Sequence, residues 1–235
     1  MFILIISIVF ISCLITNYIN QIEHFTIDSG NSGPTLLLIA GTHGNEPAGT
    51  IGLEKFLNSN VIISKGKIII IPRVNKIGLF LGTRWGFNAF MPIDYNRNYP
   101  SSPNEIGTDH INRQIVNYAQ FADFAVDFHE GWGFNITDSS SMGSGIYPSN
   151  TETAKKIANN TLHELNKNIT QSDKKFTVNF DSPRIKNSLD SFYNAHNKNY
   201  MLIETSGQND IQPIDLRVKQ VLLVIDVVLE NLGMK

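Results

Sequence analysis

The sequence predicts an α/β protein: a three-layer α/β/α sandwich around a central mixed, mostly parallel sheet. Three observations predict it. Short continuous apolar runs alternate with longer segments of helical periodicity, the runs lack the polar alternation of half-solvated strands, and Gly-, Pro-, Asn- and Ser-rich turns separate them.

Taken in order, Asp28-Ser29-Gly30-Asn31-Ser32-Gly33-Pro34 is turn chemistry, and Thr35 to Ala40 follows as a short strand buried on both faces. Pro47 stands where a first helical turn tolerates it; Ile51, Leu53, Phe56 and Leu57 give that helix an apolar side before Asn58-Ser59-Asn60 ends it. Lys67 to Arg73 reads as the next strand, with Pro72 near its end. Asp109 to Phe121 suits a helix, Phe124 to His129 a strand, Thr151 to Asn166 a helix, Asn199 to Glu204 a strand, and Leu216 to Leu232 a terminal helix. Lys167 to Asn187 lacks a pattern and is expected to form loops or edge strands.

Residues 1–20 differ from the rest. Phe2 to Ile15 is uncharged and almost continuously apolar, roughly 21 Å long as a helix against a hydrocarbon core of about 30 Å. No Lys or Arg precedes it and no small-residue cleavage site is obvious, so a signal-anchor, a cleaved signal peptide and a buried terminal helix all stay open. The expectation is a hydrophobic signal-anchor or signal peptide over 1–20, a catalytic domain over 21–235, and a membrane-anchored or secreted protein. Sequons at Asn135, Asn159 and Asn168 suit a luminal location, although an Asn-rich chain forms such triplets by chance.

The 235 residues, 42% hydrophobic and 17% charged, can bury a full core. With 19 Lys and Arg against 21 Asp and Glu there is no basic excess to bind nucleic acid. Cys13 is the single cysteine, which excludes an internal disulfide and any Cys-rich zinc site. A metal would have to be held by His and carboxylate.

Such a set is available. His43 and Glu46 follow the strand ending at Ala40, and His129 closes the run from Phe124; two His and one Glu leave a coordination position open for water. Glu204 closes a third run, so four metal-competent or acid/base residues fall at strand ends, where α/β sheets gather function. A lone His or Glu after a strand is usually an ordinary loop residue; the coincidence across strands points to a metal-dependent hydrolase with one Zn²⁺ per chain.

The segments His43-Gly44-Asn45-Glu46, Asp94-Tyr95-Asn96-Arg97, Asp127-Phe128-His129 and Glu204-Thr205, in this order from about Ser32 to Gln208, resemble the zinc carboxypeptidase superfamily, and within it the succinylglutamate desuccinylase/aspartoacylase branch. The resemblance implies His43, Glu46 and His129 as zinc ligands and Glu204 as the base that takes a proton from water and returns it to the leaving nitrogen. It also implies Arg84 as an oxyanion donor, Asn96 and Arg97 as the grip on a substrate carboxylate, and Asp94 as the acceptor that fixes the tautomer of His43. Ser139 to Ser144 is similar to the Ser/Met-Gly stretch after the third ligand in that branch.

Two departures bear on substrate. Aspartoacylases carry a further β-rich domain, whereas here about thirty residues follow Glu204, so only the catalytic domain is expected; and Asn194 stands where aspartoacylase has an arginine for its second substrate carboxylate. The expected substrate is an N-acyl amino acid or related small amide, or alternatively a peptide or cell-wall fragment cut by a carboxypeptidase or amidase, in each case with a carboxylate. A catalytically idle, membrane-tethered binding module is the third reading.

Other residues take bland readings. Asp127 and Glu130 flank His129 and could be mistaken for ligand or base, but strand neighbours point to opposite faces and Glu130 is expected to turn away. His24, His110, His163 and His196 are read as surface or structural. Trp85, Trp132 and Phe134 are pocket candidates or packing, and Tyr193 and Tyr200 are read as packing rather than as a mobile substrate-contacting tyrosine.

Overall fold

The computed structural model describes residues 21–88, 91–102, 105, 109–181 and 185–235. The signal segment predicted over 1–20 lies outside these residues. Among the described residues no helix is long and apolar enough to cross a membrane.

Nine strands and six α-helices follow one another among the described residues: β1 (Phe25–Asp28), β2 (Thr35–Ala40), α1 (Pro47–Leu57), β3 (Lys67–Ile71), α2 (Lys76–Leu81), β4 (Gly86–Asn88), β5 (Met91–Ile93), α3 (His110–Ala119), β6 (Phe124–Gly131), β7 (Gly145–Pro148), α4 (Glu152–Asn166), β8 (Thr177–Val178), α5 (Leu189–Ala195), β9 (Asn199–Ser206) and α6 (Ile214–Asn231). Seven strands form one sheet in the order β1-β3-β2-β6-β9-β7-β8, and β4 and β5 form a separate hairpin. The contacts β3-β2, β2-β6, β6-β9 and β7-β8 are parallel, while β1-β3 and β7-β9 are antiparallel. The predicted mixed, mostly parallel sheet is the one observed.

Alternation along the central strands separates two cores. Leu36, Leu38, Ala40, Phe124, Val126 and Phe128 pack with Leu53 and Phe56 of α1, Ala154 and Ile157 of α4, and Val221 and Val224 of α6. Leu37, Ile39 and Ala125 face the other way, onto Tyr99, Ile111 and Ile115 of α3, and Phe192 and Tyr193 of α5. The sheet is therefore covered on both faces, which makes the three layers.

Boundaries moved for local reasons. β3 stops at Ile71, before Pro72, whose ring cannot donate to a ladder; its carbonyl instead accepts from Thr50 Oγ1 at 2.7 Å. Asp109 and Thr151, predicted inside helices, cap them: their side chains accept from the amides of Ile111 and Ala154. β6 and β9 run two residues past His129 and Glu204, to Gly131 and Ser206, so both functional candidates lie on strand rather than in loops.

Candidate metal centre

The loop between β2 and α1 has little freedom. Gly41 takes φ +71°, and a Cβ on Gly44 would lie 1.8 Å from the carbonyl carbon of Gly78, so the loop packs directly on α2. Pro47 then starts α1, and Glu46, at the cap position, makes no capping hydrogen bond to the helix. Its side chain turns to the imidazoles instead.

There His43 Nδ1 lies 2.8 Å from Glu46 Oε1, His129 Nδ1 lies 2.8 Å from Glu46 Oε2, and the two Nδ1 atoms are 3.1 Å apart. His43, Glu46 and His129 are all buried and form a group that could hold a metal ion. Each ring has a carboxylate behind it: His43 Nε2 is 3.1 Å from Asp94 Oδ1, and His129 Nε2 is 3.2 Å from Asp127 Oδ2. With both Nε2 atoms facing these carboxylates, both Nδ1 atoms face inward together with Glu46, where a metal would displace any proton they carry. Three donors thus converge on one point.

Charge follows the geometry. Burial works to raise the pKa of Glu46, but the two imidazoles outweigh it and hold the carboxyl below its usual range. Burial likewise opposes ionisation of Asp94, and the hydrogen bond and charge of His43, with Arg84, overcome it. His129 is raised well above an ordinary imidazole: Asp127 and Glu46 outweigh its burial.

Glu204 stands opposite His129 in the parallel β6-β9 register, so the two side chains share a face about 4.8 Å apart along the ladder. It is 7% exposed and its carboxyl is pushed up to about 8, first by burial and then by the charge of Glu46. Glu204, His43, Glu46, Arg84, Asn96 and Arg97 line one cavity of about 270 Å³. All the site residues predicted from sequence except His129 and Asp94 reach its wall, and those two stand directly behind it.

Arg84 grips Asp94 through Nε (3.1 Å) and Nη2 (2.9 Å) and brings Nη1 to 3.7 Å from Glu46 Oε1. Asn96 Oδ1 accepts from Leu189 N at 3.0 Å, tying the short 3₁₀ turn Tyr95–Arg97 to α5. Arg97 donates through Nη1 to the carbonyl of Asn96 at 2.6 Å and is otherwise exposed. Trp132 joins the cavity wall, whereas Tyr193 and Tyr200 are 0% and 1% exposed in the core.

Glu130 does turn to the opposite face. Its Oε1 accepts from Ala48 N at 2.7 Å, supplying the start of α1 with an acceptor, and its Oε2 pairs with Arg217 of α6. Two supporting roles escaped the sequence reading. Gln208 Nε2 donates to Glu46 Oε1 at 3.1 Å and to the carbonyl of Glu130 at 2.6 Å, and Asp127 supports His129. For Asp127 a signal was present: it is two residues before His129 on a strand and must share its face. A glutamine beyond a strand carries no such mark.

Residues 32–133 match the model of the Succinylglutamate desuccinylase/Aspartoacylase catalytic domain. Over 115 residues the sequence is 31% identical to N-alpha-acetyl-L-2,4-diaminobutyric acid deacetylase of Halomonas elongata, covering 45% of this chain and 31% of that protein. Cell shape determinant protein Csd4 from Helicobacter pylori superposes with a TM-score of 0.73 at 20% identity, over 92% of this chain and 55% of the other. The ectoine utilization protein EutE (DoeB) from Ruegeria pomeroyi does so with a TM-score of 0.66 at 17% identity, over 91% and 61%. The chain spans about a third of the curated relative and somewhat over half of these solved structures.

Proposed function

We propose that this chain, whose residues 32–133 match the model of the succinylglutamate desuccinylase/aspartoacylase catalytic domain, is a zinc-dependent hydrolase that removes the acyl group from an N-acyl amino acid or related small amide. One observation carries the reading: the Nδ1 atoms of His43 and His129 meet Glu46 at the wall of the cavity that Glu204 also lines.

The donor set fits zinc. Two nitrogens bound tetrahedrally at about 2.0 to 2.1 Å are about 3.3 to 3.4 Å apart, close to the 3.1 Å between the two Nδ1 atoms. When bound, zinc supplies a Lewis acid that polarises a carbonyl and acidifies water toward a pKa of about 7. His43, Glu46 and His129 would hold it, with Asp94 and Asp127 setting the two rings.

The protein's own groups supply the rest. A carboxylate oxygen of Glu204 takes a proton from water and passes it to the leaving nitrogen, a role that needs an ionisable group near the cluster but not within it. Arg84 Nη1, aimed at the cluster while its other two donors bind Asp94, places positive charge where the carbonyl oxygen becomes anionic; one such donor is worth roughly 3 to 4 kcal/mol in the transition state. The amide nitrogen of Asn96 and the guanidinium of Arg97 bind the substrate carboxylate at the cavity mouth. The cavity of about 270 Å³ suits a small acyl amino acid. It lies below the roughly 300 to 1,000 Å³ of sites for larger ligands.

Exposed Trp132 and Arg97 at the mouth favour a second reading, a carboxypeptidase that accepts a longer acyl part. The test is a zinc-loaded preparation of the full chain assayed against N-acyl amino acids and short peptides together. Release of amino acid from the small amides supports the deacylase; hydrolysis confined to peptides with a free C-terminus rejects it, and a protein that binds zinc but cleaves no amide rejects both.

A further inference from the structure

The two imidazoles of the cluster are held by different chains of contacts. Behind His43, Asp94 is fixed by the Arg84 fork and by the amide of Asn96 at 2.9 Å. Behind His129, Asp127 is fully buried, and its Oδ2 accepts from Tyr200 Oη at 3.3 Å while facing His129 Nε2 at 3.2 Å. Those two are the only side-chain partners of Asp127 seen among the described residues. One phenol therefore does for Asp127 what a guanidinium and an amide do for Asp94.

Sheet register explains how it reaches. In the parallel β6-β9 pair Tyr200 lies beside Ala125, Leu202 beside Asp127 and Glu204 beside His129, so Tyr200, Asp127 and His129 share the face that carries the site. Tyr200 is in turn stacked on Tyr193, ring centroids 4.8 Å apart and 20° from parallel, with both rings buried. The phenol cannot swing away without opening the core. The hydroxyl of Tyr193, by contrast, has no hydrogen-bond partner among the described residues.

We propose that Tyr200 is a positioning residue for the metal centre: acting through Asp127, it sets the orientation of the His129 ring so that Nδ1 faces His43 and Glu46. The assignment rests on the reading of His43, Glu46 and His129 as metal ligands. A ring bound at one nitrogen still rotates unless its other nitrogen is held, and outer-sphere partners of metal-binding histidines typically change affinity about 10- to 100-fold. Tyr200 acts one hydrogen bond further out, through a long contact of 3.3 Å to the Asp127 carboxylate, so its share falls at the lower end.

The experiment compares the wild type with Tyr200→Phe, Tyr193→Phe and Asp127→Asn, using competition titrations with Zn²⁺ and the visible spectrum of the Co²⁺-substituted full chain. Tyr200→Phe is expected to weaken metal binding about 5- to 10-fold and to shift the Co²⁺ absorption bands. Asp127→Asn, which keeps the shape of the side chain, should weaken binding further, and Tyr193→Phe should leave affinity and spectrum unchanged. Unchanged affinity and spectrum in Tyr200→Phe overturn the proposal, as does an equal loss in Tyr193→Phe, which would assign the effect to core packing. Should Tyr200→Phe fail to fold, an unchanged Co²⁺ spectrum in Asp127→Asn overturns it instead. A wild-type chain that binds neither metal removes the ligand assignment itself and is thereby told apart from a failure of the Tyr200 assignment alone.

Discussion

Arg217→Met isolates the buried ion pair that braces the site from below. Glu130 and Arg217 have side chains 0% and 3% exposed, and Arg217 Nη1 pairs with Glu130 Oε2. Removing the guanidinium leaves a carboxylate in the core whose remaining acceptor duty is to Ala48 N at 2.7 Å and, at the 3.5 Å limit, to Thr205 Oγ1. The loss of one partner from a buried pair costs about 3 to 5 kcal/mol. The contact of Arg217 with Asp210 adds little, because Asp210 is 95% exposed. At roughly 2 to 4 °C per kcal/mol for a chain of this size, Tm should fall by about 6 to 20 °C, read by urea and thermal unfolding of the metal-loaded protein.

The same variant has a signed pH dependence. Burial already raises the pKa of Glu130, and loss of Arg217 raises it further, so the native state holds a proton that the unfolded chain has released. Stability linked to such a group is fully present below the unfolded pKa and is lost as pH rises through the folded one. The deficit of Arg217→Met should therefore shrink toward pH 5 and grow toward pH 8, and Glu130→Gln combined with Arg217→Met should recover most of it. A loss under about 1 kcal/mol, or one equal at both pH values, would refute the reasoning.

Glu204→Gln should keep stoichiometric metal while turnover falls at least about 100-fold; wild-type rates would remove Glu204 as the base. Metal uptake at neutral pH should release protons, because Asp127 and Glu46 raise the pKa of His129 and the proton on Nδ1 must leave; calorimetry in buffers of differing ionisation heat measures it, and a heat independent of buffer argues against His129 as a ligand. Gly44→Ala should destabilise the protein by about 1 to 3 kcal/mol or more, because the new Cβ meets backbone of Gly78 at 1.8 Å; an unchanged Tm would show that the metal loop is not packed as described. Arg97→Ala should raise KM for a carboxylate-bearing substrate about 10- to 100-fold with little change in kcat, and equal effects on a substrate lacking the carboxylate would dismiss Arg97 as its grip.

What could be read from sequence and what could not divides along physical lines. β2, β3, β6 and β9 run through the middle of the sheet, and that burial writes itself as short apolar runs such as Leu36 to Ala40, Ile68 to Ile71, Phe124 to Val126 and Tyr200 to Ile203. Short elements have no room for a period: α2 has six residues, α5 seven and β7 four, and each owes its form to neighbours rather than to propensity. The hairpin of β4 and β5 pairs only three residues a side and left no alternation to detect.

The candidate site shows the same division more sharply. The candidate ligands His43, Glu46 and His129 and the proposed base Glu204 stood out in the sequence because a ligand or a base must be of particular chemical types at strand ends, where side chains can converge. Arg217 and Gln208 were not, because a buried partner can be any residue of suitable shape and charge arriving from anywhere in the chain; they come from α6 and from the turn after β9, 87 and 78 residues from Glu130. Yet Glu130 lies between His129 on the metal face and α1 on the other, and Gln208 touches both it and Glu46. The face of the proposed metal cluster and the helix layer beneath are thus joined through one strand residue, so loss of Arg217 should loosen metal binding as well as the fold. Measured together in Arg217→Met, the two losses should track each other; a folded variant with unchanged metal affinity would show that the coupling through Glu130 stops at the strand.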